Sequence, residues 1–141
     1  MGFKVSIQGA EQIELGIEDV TKVKYVTNTP KDTNARSKDV GATLYIEGKI
    51  LAGLEGAVID GPKKMGKWSL VPAEQADAYR KVSVEVIAAG GVVRKITFPK
   101  AFVIDYTEQY GDTEGIGTFL LVVRQKKDKI EDVEVEGGYG A

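Results

Sequence analysis

Neither cysteine nor histidine occurs anywhere in the 141 residues. Without thiols the chain can form no disulfide and no thiolate metal site, and its redox compartment leaves no mark on the sequence. Without imidazole it lacks the commonest general base, the commonest metal ligand and every Ser-His or Cys-His nucleophile pair. Proline is scarce, at four, and charge of neither sign dominates: 19 Lys and Arg stand against 21 Asp and Glu, a formal net charge of -2. That balance makes no electrostatic case for a nucleic-acid or membrane surface. No apolar run approaches membrane-spanning length. The opening MGFKV has no basic segment leading into an apolar stretch, so no Sec signal peptide is expected. The expected setting is cytoplasmic assembly, with exit only through a dedicated machine.

What is present reads as one β-rich domain over residues 1–141. Seventeen glycines and repeated runs of Val, Ile, Thr, Tyr and Phe favour many short strands and turns. Residues 3–8 and 20–27 read as strands, with residues 9–14 as a connector between them. Val40, Ala42, Leu44 and Ile46 then alternate with Gly41, Thr43, Tyr45 and Glu47, which gives another strand. Between these strands lies NTPKDTNARSKD, a polar loop over about residues 27–39. It has almost no large apolar residue to offset the entropy of ordering, and it is long for a hairpin connection. Pro62 is placed to open a short helix carrying Met65 and Trp68 on one face, and AEQADAYR is a second stretch of helix formers. The expectation is one short helix within residues 61–80. Residues 81–89 and 92–98 read as a hairpin around Ala88-Ala89-Gly90-Gly91, whose Gly-Gly supports a primed turn. Pro99 marks a strand boundary or an edge position. Residues 129–141 read as a flexible tail that adds at most an edge strand.

The densest signal is FPKAFVIDYTEQYGDTEGIGTFLLVVRQKK, residues 98–127. It reads as two long strands, apolar on both faces, joined by an acidic turn. Phe102, Ile104 and Tyr106 fall on one face at period two, Ala101 and Val103 on the other; Phe119, Leu121 and Val123 likewise oppose Leu120 and Val122. A surface hairpin ordinarily turns one polar face to water. The larger face, with Phe102, Ile104, Tyr106, Phe119 and Leu121, is taken as core together with Trp68. The other, with Val103, Asp105, Leu120, Val122 and Arg124, is taken as a protomer interface covered by a second copy.

Catalytic motifs are weak. Asp105, Glu108, Asp112 and Glu114 form the one carboxylate cluster, but Asp105 and Glu108 alternate to opposite faces and no calcium-loop spacing follows. The glycines at 111, 115 and 117 match neither phosphate-loop fingerprint. Ser69 with Lys67, and Ser83 with Lys81, are chance-level Ser-Lys pairs. No catalytic, cofactor or metal site is expected. Trp68, Tyr79, Tyr106 and Tyr110 have core or subunit contact as their default role.

From about Asn34 onward the order of elements resembles the haemolysin-coregulated protein (Hcp) of type VI secretion and the related tail-tube proteins of contractile phages and phage-like particles. ARSKDVGATLYIEGKI, a polar loop into a strand, is followed by KKMGKWSLVP and then by two hairpins closed by TFLLVVRQKK. The resemblance implies a small β-barrel or sandwich with one helix. It also implies homohexameric rings stacked into a hollow tube, with sheath and baseplate or spike proteins as partners and effector or DNA as lumen cargo. Lys31, Asp32, Asn34, Arg36 and Lys38 would then form the ring-to-ring contact loop. A monomeric β-barrel that binds a ligand or carbohydrate is the alternative. Type VI system, bacteriocin, extracellular particle and phage stay equally open.

Overall fold

The computed structural model describes residues 1–28, 41–50, 60–111 and 117–137. Eight strands and one helix follow in the order β1 (Gly2–Gln8), β2 (Gln12–Leu15), β3 (Val20–Asn28), β4 (Gly41–Ile50), α1 (Asp60–Ser69), β5 (Arg80–Ala88), β6 (Gly91–Tyr110), β7 (Gly117–Gln125) and β8 (Glu134–Gly137). They form one antiparallel sheet, ordered β2-β1-β5-β6-β7-β4-β3, with β8 added beside β6. The sheet curls on itself, because β3 comes back against β1 without pairing to it. The β-rich class with a single helix is as the composition predicts.

Alternation decides which side of each strand is inward. Val5, Ile7, Ile13, Leu15, Leu44, Ile46, Val82, Val84, Phe98, Phe119, Leu121 and Val123 meet in one buried cluster. Helix α1 fills the gap between β2 and the far half of β6. Pro62 falls in its first turn, where a missing N–H costs nothing, and Met65 and Trp68, three apart, point together into the core. Gly61 lets the helix approach β2 closely: a Cβ there would sit 2.8 Å from Leu15 Cδ2.

Two sequence readings need correction. The connector over residues 9–14 runs into β2, whose Ile13 and Leu15 alternate inward with exposed Gln12 and Glu14. Pro99 does not end a strand; β6 runs through it for 20 residues. Val82 pairs with Phe98 and Arg80 with Ala101, so β6 has an extra residue there and Pro99 lies in a bulge, where its missing N–H interrupts no ladder. The tail adds the edge strand allowed for it: after a 3-10 turn at Lys127–Asp132, β8 pairs with residues 94–97 of β6. The hairpin between β5 and β6 turns with positive φ at Ala89 and Gly90, the primed geometry expected of it.

A charged pair is folded into this frame. Arg80, 5% exposed, spans the core edge: its guanidinium lies 5.3 Å from the Trp68 ring and bonds both carboxylate oxygens of Asp77. The Ala10 N–H donates to the same carboxylate at 3.0 Å. The Arg80 bonds, with the Ala10 amide, hold the Asp77 carboxyl below the usual carboxylate range. A carboxylate so depressed stabilises the fold above its ordinary titration range, and that contribution disappears as pH falls through the lowered folded value. Asp77→Asn should therefore lower stability by about 2 kcal/mol at neutral pH and flatten the acid limb of stability. Urea unfolding at neutral and acidic pH measures both effects.

Candidate assembly surface

The far half of β6 joins β7, β4 and β3 into a four-stranded sheet whose inner face is closed by the core. Its outer face is built in rows fixed by the register. One row runs Lys24, Tyr45, Val122, Asp105; the next runs Lys22, Glu47, Leu120, Thr107; a third runs Val26, Thr43, Arg124, Phe102. Within these rows the Lys24 ammonium lies 5.5 Å from the centre of the Tyr45 ring. Lys22 and Glu47 form an exposed pair at 3.9 Å, and Arg124 Nε–H donates to Thr43 Oγ1 at 3.4 Å.

A second bulge decides what β6 contributes. Val103 pairs with Val123 and Asp105 with Val122, which leaves Ile104 as the extra residue. Before it the inward residues are Ala101 and Val103; after it they are Tyr106 and Glu108, facing Leu121 and Phe119. The single face assigned to Phe102, Ile104 and Tyr106 is thus broken by one inserted residue, which flips the period. Phe102 lies outward and half-buried, edge-on to Tyr79, and Ile104 is 43% exposed instead of in the core. Val103, assigned to the interface, packs against the core cluster. Of the other residues assigned there, Val122 is buried at 6% between its row partners, Leu120 and Arg124 are half-buried, and Asp105 is exposed. The outer face of the ribbon is accordingly mixed, with Leu120 and Val122 central among polar and charged neighbours. Trp68, Phe119 and Leu121 are buried. Lys31, Asp32, Asn34, Arg36 and Lys38 lie outside the described residues.

The sequence pattern did not reveal the edges. β5 pairs with β6 only as far as Ala101, so Phe102 to Tyr110 has β7 on one side and no strand on the other among the described residues. This bare edge carries exposed Ile104 and Tyr110, the latter 68% exposed, with Asp105 and Glu108. At the opposite end of the order, β3 is terminal and presents exposed Lys22 and Lys24. An open edge is a template for another strand unless something covers it.

A tyrosine cluster braces the bare edge from inside. Tyr106 Oη lies 3.0 Å from Pro62 O of α1 and 2.5 Å from Glu108 Oε2, while Tyr110 O–H donates to Glu108 Oε1 at 2.6 Å. Burial, reinforced by the Glu108 carboxylate, holds the Tyr106 phenol far above its ordinary range; the same carboxylate raises Tyr110. Both hydroxyls stay protonated; Tyr106 fixes the strand to the helix, and Tyr110 is held to Glu108 on its own strand. Among the described residues no three acidic groups converge on a metal-sized site, and no helix is long and apolar enough to cross a membrane.

No protein-family model matches the sequence, and no curated protein matches it. Solved structures do. Hcp1 from Flavobacterium johnsoniae superposes with a TM-score of 0.56 at 17% identity, covering 96% of this chain and 96% of that one. A chain of the anti-feeding prophage baseplate, from a six-fold symmetrised structure, gives 0.56 at 11% identity over 96% and 93%. A chain of the PVC sheath-tube complex, from an extracellular contractile injection system in its extended state, gives 0.54 at 14% identity over 97% and 89%. The chain has the Hcp and tail-tube fold.

Proposed function

We propose that this chain is the inner-tube subunit of a contractile injection system, a structural protein that closes into hexameric rings stacked as a hollow tube. The observation that carries this reading is the pair of complementary edges on the four-stranded half that, among the described residues, pair with no further strand. β3 spans nine residues, and the uncovered stretch of β6 matches it in length. On the outer face one edge carries Lys22 and Lys24 and the other carries Asp105. Each step from β3 through β4 and β7 to β6 is antiparallel, so β6 runs opposite to β3. The β3 of a neighbouring copy set beside it continues the same antiparallel pattern.

Such a contact joins two different surfaces, so it repeats head to tail and either closes as a ring or runs on as a filament. Supported by the six-fold symmetry of the baseplate that contains a similar chain, the proposal is closure at six copies. A stable seam needs on the order of 800 Å² per partner, which strand pairing with Ile104 and Tyr110 alongside can supply. The loop with Lys31, Asp32, Asn34, Arg36 and Lys38 is proposed as the contact between rings. Sheath and baseplate proteins would meet the outside of the tube.

The test is negative-stain electron microscopy of the purified chain. Rings or tubes of one diameter are expected. A folded monomer at high concentration would refute the reading.

A further inference from the structure

If the sheet continues from copy to copy, the direction it faces follows from the fold. The inner face of β3-β4-β7-β6 is covered by α1, β1, β2 and β5 through the shared core, so those elements lie outside the ring. The other face must line the lumen. Its charged residues on the register rows and beside them are Lys22, Lys24, Lys49 and Arg124 against Glu47 and Asp105. Among the described residues, four cations over two carboxylates leave an excess of two positive charges per copy on this face, repeated around every ring. This is opposite in sign to the chain as a whole, at -2.

We infer that the lumen wall takes acidic polypeptide as its cargo. This rests on the ring reading above. A concave wall of one sign concentrates solutes of the other, and the effect weakens with salt. Polypeptide is favoured over nucleic acid by what surrounds the cations. Tyr45 is the one aromatic ring in the Lys24 and Lys22 rows, and the Lys24 ammonium already lies over it, so its face is not open for base stacking. Leu120, half-buried next to it, offers apolar contact that a peptide uses and a phosphate backbone does not.

The experiment is fluorescence anisotropy on assembled protein with three labelled probes of matched length: poly-L-glutamate, poly-L-lysine and poly-dT. Each is run at low and at physiological salt. The variant is Lys49→Glu with Arg124→Glu, both on inner strands away from the seam, which reverses the sign of the wall. Lys49→Gln with Arg124→Gln serves as the milder pair should the reversal impair folding. Poly-L-glutamate should bind wild-type rings, weaken with salt and lose about tenfold or more in affinity in the reversed variant. Poly-L-lysine should show the opposite preference. Rings that ignore poly-L-glutamate, or bind it equally before and after reversal, would overturn the cargo inference alone. Tighter binding of poly-dT would overturn the polypeptide assignment. Light scattering on the wild-type sample is read first, since a monomer there refutes the ring itself.

Discussion

Changing both Lys22 and Lys24 to glutamate should turn rings into monomers, and changing Asp105 and Thr107, which share their rows and their face, to lysine in the same chain should restore them. Inside one copy these lysines matter little. The Lys22–Glu47 pair is exposed on both sides, and such pairs contribute between about 0 and 1 kcal/mol. At the proposed seam, however, the exchange places two glutamates on the face and rows that carry the Asp105 carboxylate. Like charges held together across an interface cost several kcal/mol, and a ring must accept that penalty at every seam before it closes. Sedimentation velocity separates the species, and circular dichroism checks that the monomer keeps its β signature. Restoration by the compensating pair distinguishes a broken seam from a damaged fold. Rings that survive the lysine changes would place the contact elsewhere.

The second large effect is on stability. Trp68→Ala should lower the unfolding free energy by about 3–5 kcal/mol. The indole is 1% exposed, its Nε1–H donates to Ala78 O at 3.0 Å, and the Arg80 guanidinium packs over it. Truncation leaves a cavity, an unpaired carbonyl and a buried arginine held by Asp77 alone. A domain of this size has roughly 5–15 kcal/mol in total, so the midpoint should fall by about 10 °C or more. Trp68→Phe keeps most of the volume and should recover more than half of the loss. Urea titration of both variants measures this, and a loss below about 1 kcal/mol would show that α1 is not a structural plug.

The elements that alternate or repeat cleanly were legible from the residues. Leu44 and Ile46, Val82 and Val84, and the Met65-Trp68 spacing each declare an inward side. The Gly-Gly pair declares a primed turn, although the two positive-φ residues are Ala89 and Gly90, one place earlier. What escaped the reading were single insertions. At Ile104 and at Pro99 one extra residue flips the parity of everything beyond it. No composition signal marks such a flip, since both parities of residues 101–106 are apolar enough to be core. β2 was missed because four residues with two inward side chains are too short a period to stand out from a connector. The bare edge of β6 was hidden for a different reason. It depends on where β5 stops pairing, a property of the partner strand and not of β6 itself.

The chain has no cysteine, which makes the seam directly addressable. Lys24 and Asp105 lie at opposite ends of one row, three strand spacings or about 14 Å apart within a copy. A disulfide needs Cα atoms within about 7 Å, so cysteines at these two positions can join only different copies. Oxidation of Lys24→Cys/Asp105→Cys, with Lys22→Cys/Thr107→Cys as the neighbouring register, is followed on a non-reducing gel. The account predicts a ladder of covalent oligomers that ends at six. Monomer alone in both double variants, or a product that stops at the dimer, would contradict it.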